Sequence, residues 1–85
     1  MIKLDRKFYN KNIREILKLT RTELAHRVEV TRQTIYNYEM VERKAVNRPL
    51  ERVIEWELDK AIEECSNMRT RTLCDSLKHR RDANT

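Results

Sequence analysis

The chain has 85 residues, with one Pro, no Gly, two Cys, 39% charged residues and a net charge of +5. That length builds one small domain with a thin core, and without Gly tight hairpins are hard to form, which points to helices joined by short loops. No apolar run approaches the ~20 residues that span a bilayer, and residues 1–10 lack the apolar centre of a signal peptide, so a cytoplasmic protein with reduced cysteines is expected.

Charge is unevenly spread. Residues 1–50 hold 12 Lys/Arg against 6 Asp/Glu, residues 51–64 hold 2 against 6, and residues 65–85 hold 5 against 2. A basic first half fits a polyanionic partner such as nucleic acid, although charge alone fits an ordinary solvated surface as well.

Asp5 is placed to cap a first helix over about residues 6–18. Ile13 and Leu17 are i,i+4 neighbours, and Phe8, Tyr9 and Ile16 widen the apolar stripe, with Lys7, Lys11, Arg14 and Lys18 on the other sides. Thr20-x-x-Glu23 is a capping-box signature. Leu24, Ala25 and Val28 follow it at helical spacing, giving a second helix over about 21–28. Thr31 caps a third helix from about Arg32 to Glu39 or Met40, with Ile35 and Tyr38 inward. The three residues between these two helices force a sharp corner.

Residues 40–48 read as a basic loop. Pro49 suits the first turn of a fourth helix over 49–65, because its missing N–H costs little there. Leu50, Ile54, Leu58, Ala61 and Cys65 share one face of that helix. Trp56 lies off this face, near Val53 and Lys60, and either shields the first helix or anchors an interface. Leu73 and Leu77 suggest a short fifth helix over 70–80, too short to be stable alone. It docks on the body or on a second copy, or it stays disordered, and residues 82–85 form a loose tail.

Chemistry beyond binding finds little support. Cys65 and Cys74, nine residues apart, fall on opposite sides of a continuous helix and are poorly placed to pair. Together with His26 and His79 they are the only soft metal ligands, and they show no CxxC or HxxxH spacing. No Gly-rich phosphate loop and no nucleophile with an evident base is present. No catalytic residue, metal, cofactor or small-molecule effector is therefore expected, and the chain does not read as an enzyme.

The corner carries a more specific pattern. Leu24, Ala25, Val28, Val30, Thr31, Ile35, Tyr38 and Glu39 fall where the repressor/Cro-type (XRE-like) helix-turn-helix family has its apolar, small, capping and acidic residues, and residues 13–39 resemble that family, more loosely as far as 58. Ala25 has a physical reason, since a larger side chain would push the two helices apart. Glu29 departs from the pattern, standing where the family has Gly in a left-handed turn, a conformation that costs a non-Gly residue roughly 1 kcal/mol.

The resemblance implies an all-α, lambda-repressor-like bundle of four or five helices. The helix-turn-helix domain would occupy residues 5–65, with a C-terminal extension at 66–85. It implies a bacterial or phage transcription regulator that binds double-stranded DNA in a sequence-specific way. Arg32, Gln33, Tyr36 and Asn37 would read bases. Arg21, Thr31, Thr34, Arg43, Lys44 and Arg48 would contact phosphates, and Glu39 would pair with Arg14. A homodimer on a roughly palindromic site is expected, with half-sites about 34 Å apart. Trp56, Met68, Leu73 and Leu77 are the candidate dimer contacts. The alternative is a protein-interaction module, such as an antitoxin or antirepressor, that uses the acidic fourth helix and the basic tail. Single-stranded RNA binding lacks the interleaved aromatics it would need.

Overall fold

A computed structural model of the chain describes residues 5–40 and 47–83. These residues form five helices, and among them there is no strand: α1 Arg6–Ile16, α2 Arg21–Arg27, α3 Arg32–Met40, α4 Arg48–Glu64 and α5 Met68–Ala83. The expected all-α bundle is what the chain builds. Its core is one cluster in which Ile13 of α1, Leu24, Ala25 and Val28 of α2 and its end, Ile35 of α3, Ile54, Leu58 and Ile62 of α4, and Cys74 of α5 meet. Fully burying each of the larger of these side chains contributes about 1.5–3 kcal/mol.

Helix ends explain most of the shifts from the expected boundaries. α1 stops at Ile16, two residues early, because Lys18 takes φ 60°. The Lys18 N–H then donates to Glu15 O (3.0 Å) and the Leu19 N–H to Arg14 O (3.1 Å). Those paired bonds, closed by a left-handed residue, form a Schellman ending. α2 closes in the same way. Glu29 has φ 58°, its N–H donates to His26 O (3.3 Å), and the Val30 N–H donates to Ala25 O (3.0 Å). A chain without Gly therefore bends twice through a left-handed residue, and only the second bend was expected.

α4 begins one residue before Pro49. The Asn47 side chain accepts from the Leu50 N–H (3.2 Å), so Arg48 opens the helix rather than ending the loop. At the start of α1, Asp5 occupies the capping position, but its side chain makes no cap hydrogen bond.

Two aromatic expectations change. Phe8 is 47% exposed and meets Tyr9 edge-on. It lies five residues before Ile13, about 140° around the helix, and so misses the core stripe. Trp56 is 62% exposed and does not shield α1. The Lys60 ammonium sits 4.2 Å from its ring centre.

α5 is longer at both ends than the 70–80 expected, and it docks on the body. Cys74 is in the core and Leu77 packs against it, which leaves Leu77 facing inward. The other anchor is polar. Arg81 is only 2% exposed; it donates to Asn10 Oδ1 (3.0 Å), Asp59 Oδ1 (3.1 Å) and Asp82 Oδ1 (3.1 Å). Arg6 of α1 joins this cluster, donating to both oxygens of Glu55 (2.8 and 2.9 Å) and to the Arg81 carbonyl (3.3 Å). Burial opposes ionisation of Glu55, but the hydrogen bonds from Arg6 and Asn10 and the Arg81 charge outweigh it and hold its carboxyl below the usual range.

Four carboxylates of the acidic stretch are thus neutralised within the molecule. Glu55 and Asp59 of α4 face Arg6, Arg81 and Lys78, while Glu57 and Glu64 on the opposite flank take Arg27 of α2. Both cysteines are free; Cys65 ends α4, and the chain breaks before α5 rather than running on as one helix. Burial pushes the Cys74 thiol up to about 11, so it stays a neutral core group. No helix of the described residues is long and apolar enough to cross a membrane.

Candidate nucleic-acid interface

The site is assembled by two helix starts and one buried carboxylate. At the start of α2 the expected capping box is complete: the Thr20 hydroxyl accepts from the Glu23 N–H (3.0 Å) and Glu23 Oε1 accepts from the Thr20 N–H (3.2 Å). At the start of α3, Thr31 Oγ1 accepts from the Thr34 N–H (3.2 Å) and lies 2.9 Å from Thr34 Oγ1. Only one of the two hydroxyls can donate between them, so one hydroxyl proton at this helix start remains for another acceptor.

Glu39 locks the helices together. Its side chain is 2% exposed; Arg14 Nε donates to Oε2 (2.6 Å) and Arg14 Nη2 to Oε1 (3.1 Å), the fork-on-fork pair expected. Arg14 Nη1 also donates to the Leu19 carbonyl (2.7 Å), which ties α1 to the turn before α2. Arg21 adds a bond that the sequence did not suggest. Its Nε donates to Glu39 Oε1 (2.9 Å), and its guanidinium carbon lies 5.2 Å from the Tyr36 ring centre. One carboxylate therefore spans α1, α2 and α3, and Arg21 links the start of α2 to the outer face of α3.

Tyr38 supplies a third fixing point. Its hydroxyl donates to Glu51 Oε2 (2.6 Å) and accepts from Asn10 Nδ2 (3.0 Å), joining α3 to α4 and α1. Burial, with that bond to Glu51, holds the phenol well above its ordinary range, so it stays protonated. Asn10 passes the connection on, donating to Glu55 Oε2 (3.0 Å) and accepting from Arg81.

With Ile35, Tyr38 and Glu39 turned inward, the opposite side of α3 is left open. Arg32, Gln33 and Tyr36 are exposed, and Asn37 is half-buried beside them. Gln33 Nε2 donates to Asn37 Oδ1 (3.0 Å), one helical turn along. These four residues stand together on one face. Arg21, Thr31 and Thr34 border the same end of it, with Arg21 partly committed to Glu39. An open depression of about 440 Å³ lies on the corner, lined by Thr22, Ala25, His26, Glu29, Val30 and Arg32. Arg48 is exposed at the first position of α4. Arg43 and Lys44, expected to contact phosphate, lie outside the described residues.

The candidate dimer contacts are unequally exposed. Trp56 is on the outer side of α4, and Met68 and Leu73 are exposed on α5, five residues apart and so about 140° apart around that helix. Leu77 belongs to the core side. Among the described residues, no group of three or more His, Cys, Asp or Glu side chains could hold a metal ion.

Sequence reasoning missed Arg21's bond to Glu39, the second left-handed turn at Lys18, and the buried Arg81 cluster. A signal for the last was present: Glu51, Glu55 and Asp59 recur every four residues, which lines three carboxylates along one side of α4.

Two short helices at a four-residue corner, the second capped, braced from behind and open in front, define a helix-turn-helix DNA-binding domain. Residues 11–44 match the family model described as Helix-turn-helix, which supports the resemblance of this segment to the DNA-binding helix-turn-helix of XRE-type transcription regulators. No curated protein and no solved structure matches the chain significantly.

Proposed function

We propose that this protein is a repressor/Cro-like regulator that binds a roughly palindromic operator as a homodimer, with α3 in the major groove of each half-site. The half-sites would lie about 34 Å apart, one turn of DNA. The observation that carries the reading is the open face of α3: Arg32, Gln33 and Tyr36 are exposed with Asn37 half-buried beside them, yet the helix under them is fixed by Thr31, Tyr38 and Glu39.

In this reading Gln33 and Asn37 present amides suited to adenine, Arg32 suits guanine O6 and N7, and Tyr36 reaches a thymine methyl or a phosphate. Arg21, Thr31, Thr34 and Arg48, together with Arg43 and Lys44, contact the backbone and set the register. The antitoxin or antirepressor alternative relied on the acidic fourth helix and the basic tail as a free surface. Glu55, Glu57, Asp59 and Glu64 of that helix and Lys78 and Arg81 of the tail are instead paired within the molecule, which favours the DNA-binding reading.

Selection of bound duplexes from a random pool tests the proposal by returning site, spacing and symmetry together. Gln33→Ala should relax preference at one base position, at about 1–3 kcal/mol of discrimination. Arg48→Ala should weaken all sequences alike and reduce the salt slope by about 1. A pool that returns no enriched sequence overturns the reading.

A further inference from the structure

α4 is covered on both flanks and bare along its outer edge. Glu57 and Glu64 are taken by Arg27 on one flank, and Glu55 and Asp59 by Arg6, Arg81 and Lys78 on the other. Between them runs a strip of Arg52, Val53, Trp56, Lys60 and Glu63. Arg52, Val53, Trp56 and Glu63 are exposed, and Lys60 lies over one face of the Trp56 ring. Among the described residues, neither Arg52 nor Glu63 has an ion-pair partner. A Trp 62% exposed in the middle of a well-formed helix is a large apolar surface with nothing over it.

We infer that a second copy of this chain docks on this strip, with the two α4 helices antiparallel. The inference deepens the dimer reading above and rests on it. The order of residues on the strip carries it. At about 100° per residue, Arg52 and Glu63 fall within about 20° of each other and share one edge, Val53 and Lys60 share the other, and Trp56 lies between. An antiparallel pair has its twofold axis perpendicular to both helices, and that axis turns each edge toward the same edge of the partner.

Arg52 then meets Glu63 of the second copy, twice over by symmetry, when the axis passes midway between these positions in the helix. The same register brings Val53 against the aliphatic stem of Lys60 on the second copy. It also leaves each Trp56 within about two residues of the axis, so the two rings meet near the centre. Opposite charges at the rim around a central aromatic is the arrangement that stable interfaces favour. A parallel pairing would turn the Arg52/Glu63 edge toward the Val53/Lys60 edge of the second copy and set Arg52 against Val53, with no carboxylate to meet it. Only the antiparallel orientation gives Arg52 a carboxylate and meets Glu63 with a guanidinium twice over, and this self-complementarity marks a second copy as the occupant.

Sedimentation of the full chain over a wide concentration range, with and without a selected duplex, tests the proposal. Trp56 is the only Trp in the chain, so its emission reports this site alone and should shift to the blue as the dimer forms. Trp56→Ala should weaken dimerisation about thirtyfold or more. Arg52→Glu and Glu63→Arg should each weaken it about tenfold, and the two together should restore it. All of these side chains are exposed, so circular dichroism should show an unchanged helix content in each variant. A wild-type dimer that ignores all three substitutions, or a charge swap that fails to recover, overturns this surface while dimerisation itself stands. A wild-type chain that stays monomeric with and without duplex overturns the dimer reading and this proposal together.

Discussion

Replacing Glu39 by Gln tests the element that holds the DNA-facing corner together. The substitution preserves shape and removes one charge from between two guanidiniums. Arg14 is the costly partner, since its side chain is 9% exposed and Glu39's is 2%. Removing one member of a buried pair strands the other and costs about 3–5 kcal/mol. The amide oxygen can still accept one hydrogen bond, which returns about 1 kcal/mol. The Arg21 pair is 25% exposed on the arginine side, and solvent screening limits its added loss to about 1 kcal/mol or less. The net is a destabilisation of about 3 kcal/mol, a large share of the total for a domain of this size. In urea titrations followed by circular dichroism, with a slope near 1 kcal/mol per molar, the midpoint should fall by about 3 M. Arg14→Met in the Glu39→Gln background should recover part of the loss, because it removes the stranded charge. A loss under about 1 kcal/mol, or no recovery in the double variant, would refute the argument that this carboxylate is buried and bridging.

Two further outcomes follow from the same structure. Lys18→Gly and Glu29→Gly place glycine at the two left-handed turns; each should stabilise by about 0.5–1 kcal/mol, additively, in thermal or urea unfolding, because glycine adopts this backbone without a Cβ clash. A loss of stability in either variant would contradict the Schellman geometry. Glu55 and Asp82 both hold their protons less tightly when folded, because burial is outweighed by the bonds and charges of Arg6 and Arg81. Their contribution is complete above the ordinary carboxylate range and is lost as pH falls through their lowered folded values. The melting temperature should therefore drop below about pH 4.5, with a shallower drop in Glu55→Gln; a flat melting curve down to about pH 3 would contradict it.

What was legible in the sequence is what is local in the structure. The Thr20–Glu23 capping box, the Thr31 cap, the spacing of Leu24, Ala25 and Val28, and the left-handed Glu29 are all written within a few residues of each other, and all are observed. The open face of α3 follows from them, since placing Ile35, Tyr38 and Glu39 inward leaves Arg32, Gln33 and Tyr36 outside. The extent of α5 was not legible in this way, because apolar periodicity marks only Leu73 and Leu77, and only Leu77 faces the core. The helix is held instead by Cys74 and by a buried arginine, and Arg81 in sequence looks like one more tail charge. Its partners are Asn10, Asp59 and Asp82, of which the first is 71 residues away. The left-handed Lys18 was hidden for a different reason. Lysine carries no turn signal, and the ending is visible only once the bonds back to Arg14 and Glu15 are known.

The disposition of acidic residues separates the two surfaces that remain. Glu39 is the only acid in α3, and it is buried beneath the helix; the outer face of α3 therefore offers amides, hydroxyls and a guanidinium with no negative charge to oppose a phosphate-lined groove. The outer strip of α4 is the reverse case. Glu63 stands on the same edge as Arg52, so a polyanion laid along it would be repelled at one end while it was held at the other. An antiparallel copy of the same strip meets Arg52 with Glu63 and Glu63 with Arg52. The rest of the acidic helix is spent inside the molecule, where Glu55 and Asp59 hold α1 and α5, and Glu57 and Glu64 hold α2. The sign reversal along the sequence, which first suggested an external partner for α4, is therefore an intramolecular device. It packs four helices behind the recognition face without placing a carboxylate on it.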